Sequence, residues 1–206
     1  QRVIFPLENE QGVSGDTLQM MLARAPATLA VKYKPNIMAL MGGANNIPTA
    51  DTLQTMIDTW LALVAFYTQR GVTVAAFPVP PRATGVLTQP QIDKQIAFND
   101  YIKEYCSKHA GIFYVDYLEY VTDPATRYTT NQPLANMVKA DNLHPANGMA
   151  YWMGYAFLAA IGNLLPPYVP LYTTAADAYS PTNYSGSLLR TGSTSYSPML
   201  GTGGTH

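Results

Sequence analysis

The 206-residue sequence has few cysteines, few charged residues and no long apolar run, and each shortage excludes a class of protein. The single cysteine, Cys106, rules out an intrachain disulfide, and its place in a helical stretch favours a partly buried structural thiol. No apolar run reaches the roughly 18 residues that a membrane-spanning helix requires. Charged residues make up only 12 % of the chain and the formal net charge is −1, so nothing indicates nucleic acid or an anionic membrane as a partner.

The scarcity of Lys, Glu and His bears on the setting of the protein and on metal chemistry. Tyr, Thr, Pro, Asn and Gln are plentiful instead, which favours an extracellular or virion-associated location. The N-terminus lacks the basic and apolar regions of a signal peptide. It starts at Gln1 rather than at an initiator Met, which favours a processed or excised product. Of the three histidines, His206 is terminal and His109 lies in a helical stretch without metal-binding neighbours, so we expect no metal ion and no other cofactor.

What the sequence does contain is a regular alternation of apolar runs and helical patterns. Continuous apolar runs predict buried strands at four places: 2–7, 36–41, 72–79 and 112–116. Apolar residues at helical spacing predict helices at 16–33, 51–71, 91–111 and 147–165. Pro26 is expected to kink or break the first of these helices. This alternation predicts an α/β fold in which helices cover both faces of a parallel sheet.

The chain changes character after residue 165. Residues 166–206 are rich in Ser, Thr, Tyr, Gly and Pro, and they repeat the tripeptide Tyr-Ser-Pro at 179–181 and 196–198. This composition is typical of a flexible linker or tail. Its Tyr, Leu and Met content equally favours an arm that packs on a neighbouring subunit and forms a homo-oligomer. We therefore divide the chain into a domain at 1–165 and a tail or assembly arm at 166–206.

Three polar patches are expected near the carboxyl ends of the strands, where sheets of this kind bind ligands. They are residues 12–17 at a turn into a helix, 42–46 after a strand, and 141–145 before the last helix. Taken singly, each patch has a plain structural explanation. Ser14 or Asp16 would cap a helix, Gly42 would permit a turn, and His144 would be an ordinary loop residue.

Taken together, in this order and spacing, the patches resemble the blocks of the SGNH hydrolases, also called the GDSL family of esterases and lipases. Gly43-Ala44-Asn45-Asn46 resembles the family's Gly-x-Asn-Asp block, and Asp141 to His144 resembles its Asp-x-x-His block. The stretch SGDTLQMMLAR at 14–24 resembles the glycine block of the microbial thioesterase and lysophospholipase branch. The resemblance covers roughly residues 2–165 and implies a flavodoxin-like, doubly wound, three-layer sandwich.

The resemblance also implies a serine ester hydrolase and a role for each matching residue. His144 would be the general base, and Asp141 would orient and stabilise its imidazole. The backbone N–H of Gly15 and the side-chain amide of Asn45 would donate to the oxyanion. The implied substrate is a small acyl or acetyl ester, for example on a carbohydrate.

Two residues of the second patch would support its loop rather than touch the substrate. Gly43 would permit the turn after the strand. Asn46 departs from the family's pattern, in which Asp is usual, and this puts the hydrogen bonds within the loop in doubt more than the oxyanion role of Asn45.

The family's nucleophile is missing from the expected place. It is the Ser of a Gly-Asp-Ser block that precedes the glycine block, and no such block precedes Gly15. Thr17 in the stretch GDTL is rejected because no buried strand leads into it, and no Gly-x-Ser-x-Gly elbow occurs either. The run at 2–7 would then be the family's second strand. The first strand lies between the second and third in such sheets, so its absence would leave backbone groups unpaired at roughly 1–3 kcal/mol each.

Three sources remain open for the missing strand and its serine. They are a preceding polypeptide that is cut away or separately encoded, the tail of this chain or a neighbour, and a longer gene product. In the tail, Ser193 is a candidate nucleophile, although Arg190 suits a buried strand poorly. The first and third sources are favoured.

The alternative function is a non-catalytic SGNH-like module of a virion, a phage tail or another extracellular assembly. The tail and the low charge favour this alternative. The joint presence of all four matching residues argues against it: Gly15, Asn45, Asp141 and His144.

Overall fold

The computed structural model describes residues 10–30 and 34–165. The predicted strand at 2–7, the tail at 166–206 and Ser193 lie outside these residues. The division into a domain and a tail therefore stays a prediction.

Strands and helices alternate along the described chain, as the apolar pattern predicts. The strands are β1 (Ile37–Met41), β2 (Thr73–Phe77) and β3 (Ile112–Tyr114). The helices are α1 (Leu18–Leu29), α2 (Leu53–Thr68), α3 (Gln89–Lys108), α4 (Leu118–Val121) and α5 (Asn147–Ile161), and a 3₁₀ turn follows at Gly162–Leu164. Four of these helices match the predicted ones, whereas the short α4 was not predicted. In the described ranges, no helix combines the length and hydropathy needed to cross a bilayer.

The described strands form a parallel sheet in the order β1-β2-β3. Successive residues of β2 face opposite sides of this sheet. Val74 and Ala76 join the buried cluster that contains Trp60 of α2 and Phe98 of α3. Phe77 faces the other side, where its ring stacks on Phe157 of α5 at a centroid distance of 5.8 Å. Helices thus cover both faces of the sheet, and the predicted α/β architecture is confirmed.

β1 is the least covered of the described strands. Only Leu40 is buried, and Ala39 and Met41 are exposed, whereas four of the five residues of β2 are buried. The prediction of a fully buried strand at 36–41 is therefore wrong for the described residues. The physical reason is position, because β1 lies at an edge of the described sheet. Its free side is where the family's strand order would place the missing first strand.

Pro26 does not break α1, so of the predicted kink or break the break is wrong. The helix continues from Leu18 to Leu29 with Pro26 inside it. Pro26 is exposed, while its neighbours Ala25 and Thr28 are buried. A carbonyl left without its helical N–H partner on the exposed side of a helix can bind water, so the buried side keeps the helix in place.

Gly43 fixes how closely the end of β1 packs on the helices. It has φ +100°, in the left-handed region that favours glycine. A Cβ at this position would lie 2.8 Å from Cε1 of Phe98 and 3.3 Å from Cε of Met56. The β1–α2 loop therefore touches α3 so closely that only a glycine fits.

We expect Gly43→Ala to lower the free energy of unfolding by roughly 2–4 kcal/mol, because strain from the left-handed backbone adds to overpacking. Gly85→Ala is the matched control, since Gly85 has φ +83° but a Cβ there would meet open space. It should lose only the backbone contribution of about 1–2 kcal/mol. Urea denaturation of both variants measures the difference, and equal losses would contradict the close packing.

Candidate active site

The loop before α5 holds Asp141 against His144. Asp141 Oδ2 lies 2.8 Å from His144 Nδ1, and Asp141 Oδ1 accepts the backbone N–H groups of Leu143 and His144, both at 2.9 Å. These contacts lower the pKa of Asp141, the backbone N–H of His144 contributing most and that of Leu143 next. The carboxylate is therefore ionised at neutral pH and accepts the Nδ1 proton. That tautomer leaves Nε2 of His144 as a proton acceptor.

The Asp-His loop is pinned at both ends. Val138 and Pro145 form an antiparallel bridge. Lys139 N donates to His144 O at 2.8 Å, and Ala146 N donates to Met137 O at 2.9 Å. The side chain of His144 is 61 % exposed, and Nε2 has no hydrogen-bond partner among the described residues. The loop thus presents an oriented imidazole to solvent.

The loop after β1 joins the first two polar patches. The side-chain amide of Asn45 donates from Nδ2 to the carbonyl of Asp16 at 2.9 Å. Asp16 directly follows Gly15, so the two predicted oxyanion donors lie on adjacent segments. Both Gly15 and Asn45 are exposed, which leaves them accessible to a ligand.

Asn46 lies beside Asn45 but has the opposite environment, because it is completely buried. Its Oδ1 accepts the N–H of Leu18 at 2.9 Å, and its Nδ2 donates to Gln19 Oε1 at 2.8 Å and to Asp51 Oδ2 at 2.7 Å. The departure from the family's Asp therefore leaves the loop fully hydrogen-bonded. Asn suits this place because Asp51 supplies a carboxylate that an amide can pair with and a second carboxylate cannot.

Sequence reasoning missed Asp51 and Lys94, which complete this loop. The pKa of Asp51 is lowered, first by the hydrogen bond from Asn46 and then by that from Thr49. Lys94 Nζ reaches across from α3 to three backbone carbonyls, those of Asn46 at 3.3 Å, Thr49 at 3.1 Å and Asp51 at 2.8 Å. The unusual Asn46 was a signal for a nearby carboxylate, whereas nothing in the sequence distinguishes Lys94 from other polar helix residues.

The loop after β2 connects the second and third patches. Arg82 Nη2 donates to Ala44 O at 2.5 Å, next to Asn45. The adjacent Ala83 N donates to Asn142 O at 3.1 Å, inside the Asp-His loop. Sequence reasoning missed Arg82, although its place directly after a buried strand is typical of site residues.

Two side chains of α3 hold the start of this connecting loop by hydrogen bonds to its backbone. Asn99 Oδ1 accepts Val79 N at 2.7 Å, and Asn99 Nδ2 donates to Val79 O at 2.9 Å. Gln95 Nε2 donates to Pro80 O at 2.5 Å. Both side chains are buried, so the connecting loop starts from a rigid support.

Thr17 is the N-cap of α1, so the expectation that Ser14 or Asp16 caps this helix is wrong. Thr17 Oγ1 accepts the N–H of Met20 at 3.4 Å. Asp16 instead pairs with Arg24, which donates from both Nε and Nη2.

In the part of the chain that the structure describes, no group of three or more His, Cys, Asp or Glu side chains could hold a metal ion.

Comparisons with known proteins support the architecture. Residues 2–147 match the model of the GDSL-like lipase/acylhydrolase family. No match was found among curated protein sequences. Several solved structures are similar. A GDSL-like lipase from Bacteroides thetaiotaomicron has 18 % identity and a TM-score of 0.62, with 75 % of each chain covered.

Two further structures have a similar fold. The lipase/acylhydrolase from Enterococcus faecalis has 18 % identity and a TM-score of 0.56, with 75 % of each chain covered. A carbohydrate esterase family 3 protein from Talaromyces cellulolyticus has 15 % identity and a TM-score of 0.57, with 75 % of this chain and 70 % of that chain covered. At such identities the likeness shows the fold, and the roles of individual residues stay predictions.

We expect Asn46→Asp to destabilise the protein at neutral pH by roughly 2–4 kcal/mol, because it places a buried carboxylate in contact with the partly exposed carboxylate of Asp51. The repulsion raises the folded-state pKa of this pair above its unfolded value. The penalty is therefore present above that raised pKa and disappears as the pH falls toward about 4.

The double variant Asn46→Asp/Asp51→Asn exchanges the two groups and should recover most of the loss. Asn163→Asp, at an exposed position, is the control for adding a charge. Urea denaturation between pH 4 and pH 8 measures all three variants. A loss that is independent of pH, or is not recovered by the exchange, would show that Asn46 and Asp51 are not coupled.

Proposed function

Because the chain belongs to the GDSL-like lipase/acylhydrolase family, we propose that it carries the His-Asp half and the oxyanion donors of a serine ester hydrolase. The observation that carries this proposal is the contact of 2.8 Å between Asp141 and His144, with Nε2 of His144 left unpaired among the described residues. The loop after β2 joins this pair to the Asn45 segment through Ala44 and Asn142.

In the proposed mechanism, Nε2 of His144 takes the proton of a serine hydroxyl as its oxygen attacks the ester carbonyl. The ionised Asp141 stabilises the imidazolium that forms. The N–H of Gly15 and the amide of Asn45 donate to the oxyanion of the tetrahedral intermediate. His144 then returns the proton to the leaving alcohol, and a water molecule releases the acyl group by the same steps.

We propose further that the serine belongs to a polypeptide segment outside these 206 residues that lies along the free side of β1. The support is the exposure of Ala39 and Met41 in a strand whose sequence is entirely apolar. Thr73 N donates to Asn36 O, so alternate backbone groups of β1 point toward β2 and the others point away. A parallel strand added there would end beside the β1–α2 loop, where a serine is needed. Ser193 in the tail is the other source that the sequence offers.

The proposed substrate is a small acyl or acetyl ester. A carbohydrate-borne ester is the class to test first, since one protein of similar fold is a carbohydrate esterase. An extracellular or virion-associated location, a homo-oligomer formed through the tail, and a non-catalytic role in an assembly rest on composition alone and stay predictions.

We expect the native material, with any polypeptide that accompanies this chain, to hydrolyse 4-nitrophenyl acetate. His144→Ala should lower kcat at least about 10³-fold, since the serine then lacks its base. Asn45→Ala should lower kcat roughly 10²–10³-fold through the loss of one oxyanion donor. His109→Ala is the control, because His109 stacks on Tyr105 at the end of α3. Equal rates for the native protein and His144→Ala would refute the hydrolase and leave the non-catalytic module.

Labelling of the native material with a fluorophosphonate should identify the nucleophile. We expect the modified serine to lie in a peptide outside this sequence, and mass spectrometry of the digest locates it. Modification of Ser193 would instead assign the nucleophile to the tail and overturn the proposed external segment. His144→Ala is the control that should prevent labelling.

A further inference from the structure

Arg82 is a half-buried cation without a counter-ion. It follows two prolines at the carboxyl end of β2, and among the described residues it forms no ion pair. Its one hydrogen bond there runs from Nη2 to the carbonyl of Ala44. A guanidinium has five N–H donors, so most of those of Arg82 have no acceptor within the described part of the protein.

A negatively charged ligand would offset the cost of this partial burial. Burial lowers the pKa of Arg82, which shows that the site partly removes the charge from water. A charge moved out of water without an opposite partner is unfavourable. The planar donor set of a guanidinium matches carboxylate and phosphate groups in particular.

The carboxylates of the three site loops already have other partners. Asp16 pairs with Arg24, and Asp51 accepts hydrogen bonds from Asn46 and Thr49. Asp141 accepts from His144 and from two backbone N–H groups. The positive charge of Arg82 is therefore available to an incoming anion rather than neutralised by these side chains.

Arg82 belongs to the segment that joins the two halves of the proposed active site, and its guanidinium lies beside the Asn45 loop. Ala44, its hydrogen-bond partner, precedes Asn45, and the next residue, Ala83, contacts Asn142 of the Asp-His loop. Gln95 and Asn99 hold the preceding segment from α3. The position of Arg82 is thus set before any ligand arrives, which suits specific recognition.

We propose that Arg82 binds an anionic group of the substrate, so that this site prefers esters with a carboxylate or phosphate near the ester bond. This inference rests on the proposed hydrolase function. It makes Arg82 a specificity-determining residue. The other role open to Arg82 is to position the Asn45 loop through Ala44, which would affect neutral and anionic esters equally.

Kinetics with matched esters separate these roles. 4-Nitrophenyl acetate is neutral, 4-acetoxybenzoate and 4-acetoxyphenyl phosphate carry the charge on the alcohol, and mono-4-nitrophenyl succinate carries it on the acyl group. We expect Arg82→Gln to lower the anionic-to-neutral ratio of kcat/KM about 10–100-fold for one side of the ester, mainly through KM. Arg82→Lys should retain part of the preference because it keeps the charge. Arg70→Gln is the matched control, since Arg70 lies over Phe66 at the end of α2.

A salt series on the native protein tests the inference without any variant. Raising NaCl from about 50 to 500 mM should increase KM for the preferred anionic ester far more than KM for 4-nitrophenyl acetate, because an ion pair with a half-buried side chain is still partly screened. An equal loss of kcat/KM on neutral and anionic esters in Arg82→Gln, or equal salt dependence of their KM values, would overturn the inference and leave the positioning role.

Binding of an amide analogue of the preferred anionic ester needs no serine and separates the two proposals. The analogue is 4-acetamidobenzoate where the preference lies on the alcohol side and succinanilate where it lies on the acyl side. Titration of the chain by isothermal calorimetry should show saturable binding that Arg82→Gln abolishes and His144→Ala retains. Such binding without hydrolysis of any ester would refute the hydrolase and keep the anion site. Ester hydrolysis together with amide binding that is unchanged in Arg82→Gln would refute the anion site alone.

Discussion

The buried amide of Asn46 is the interaction on which the rest of the site depends. Its oxygen binds the first N–H of α1, and its nitrogen binds Asp51 just before α2. One side chain therefore ties the start of two helices to the end of β1. Because the amide is completely buried, the loss of either partner leaves a polar group without water or protein to satisfy it. That cost holds Asn45 against Asp16 and keeps the two predicted oxyanion donors on adjacent segments.

The loop after β2 extends this support to the Asp-His pair. Gln95 and Asn99 anchor its start on α3, and Arg82 and Ala83 then reach in opposite directions to Ala44 and Asn142. The predicted base and the predicted oxyanion segment are far apart in sequence, but one side-chain and one backbone hydrogen bond from this loop join them. The same loop carries the guanidinium of Arg82, which has no ion pair among the described residues, and this is the charge that we propose a substrate recognises.

The exposed residues of β1 suggest where a segment that carries the proposed serine would bind. Parallel strands are normally buried on both sides. An apolar strand at the edge of a sheet has unpaired backbone groups that can pair with another strand. In β1 the exposed positions lead directly to the β1–α2 loop and Asn45. A strand that completed the sheet would end at this loop. In our proposal, one segment would therefore both complete the sheet and supply the nucleophile.

The sequence by itself determined the features that depend on neighbouring residues. Apolar runs placed β1, β2 and β3, and a pair only three residues apart formed the Asp141–His144 contact, because a tight loop brings such neighbours together whatever surrounds it. The predicted break at Pro26 is absent, because the energetic cost of a proline in a helix depends on whether the carbonyl that loses its N–H partner is buried. Only the tertiary structure decided that Asn46 meets Leu18 across 28 residues, that Lys94 reaches Asn46 across 48, and that Arg82 lies beside Ala44. Those contacts depend on how helices pack on the sheet, and no local pattern encodes the distance between two elements that meet only after the chain has folded.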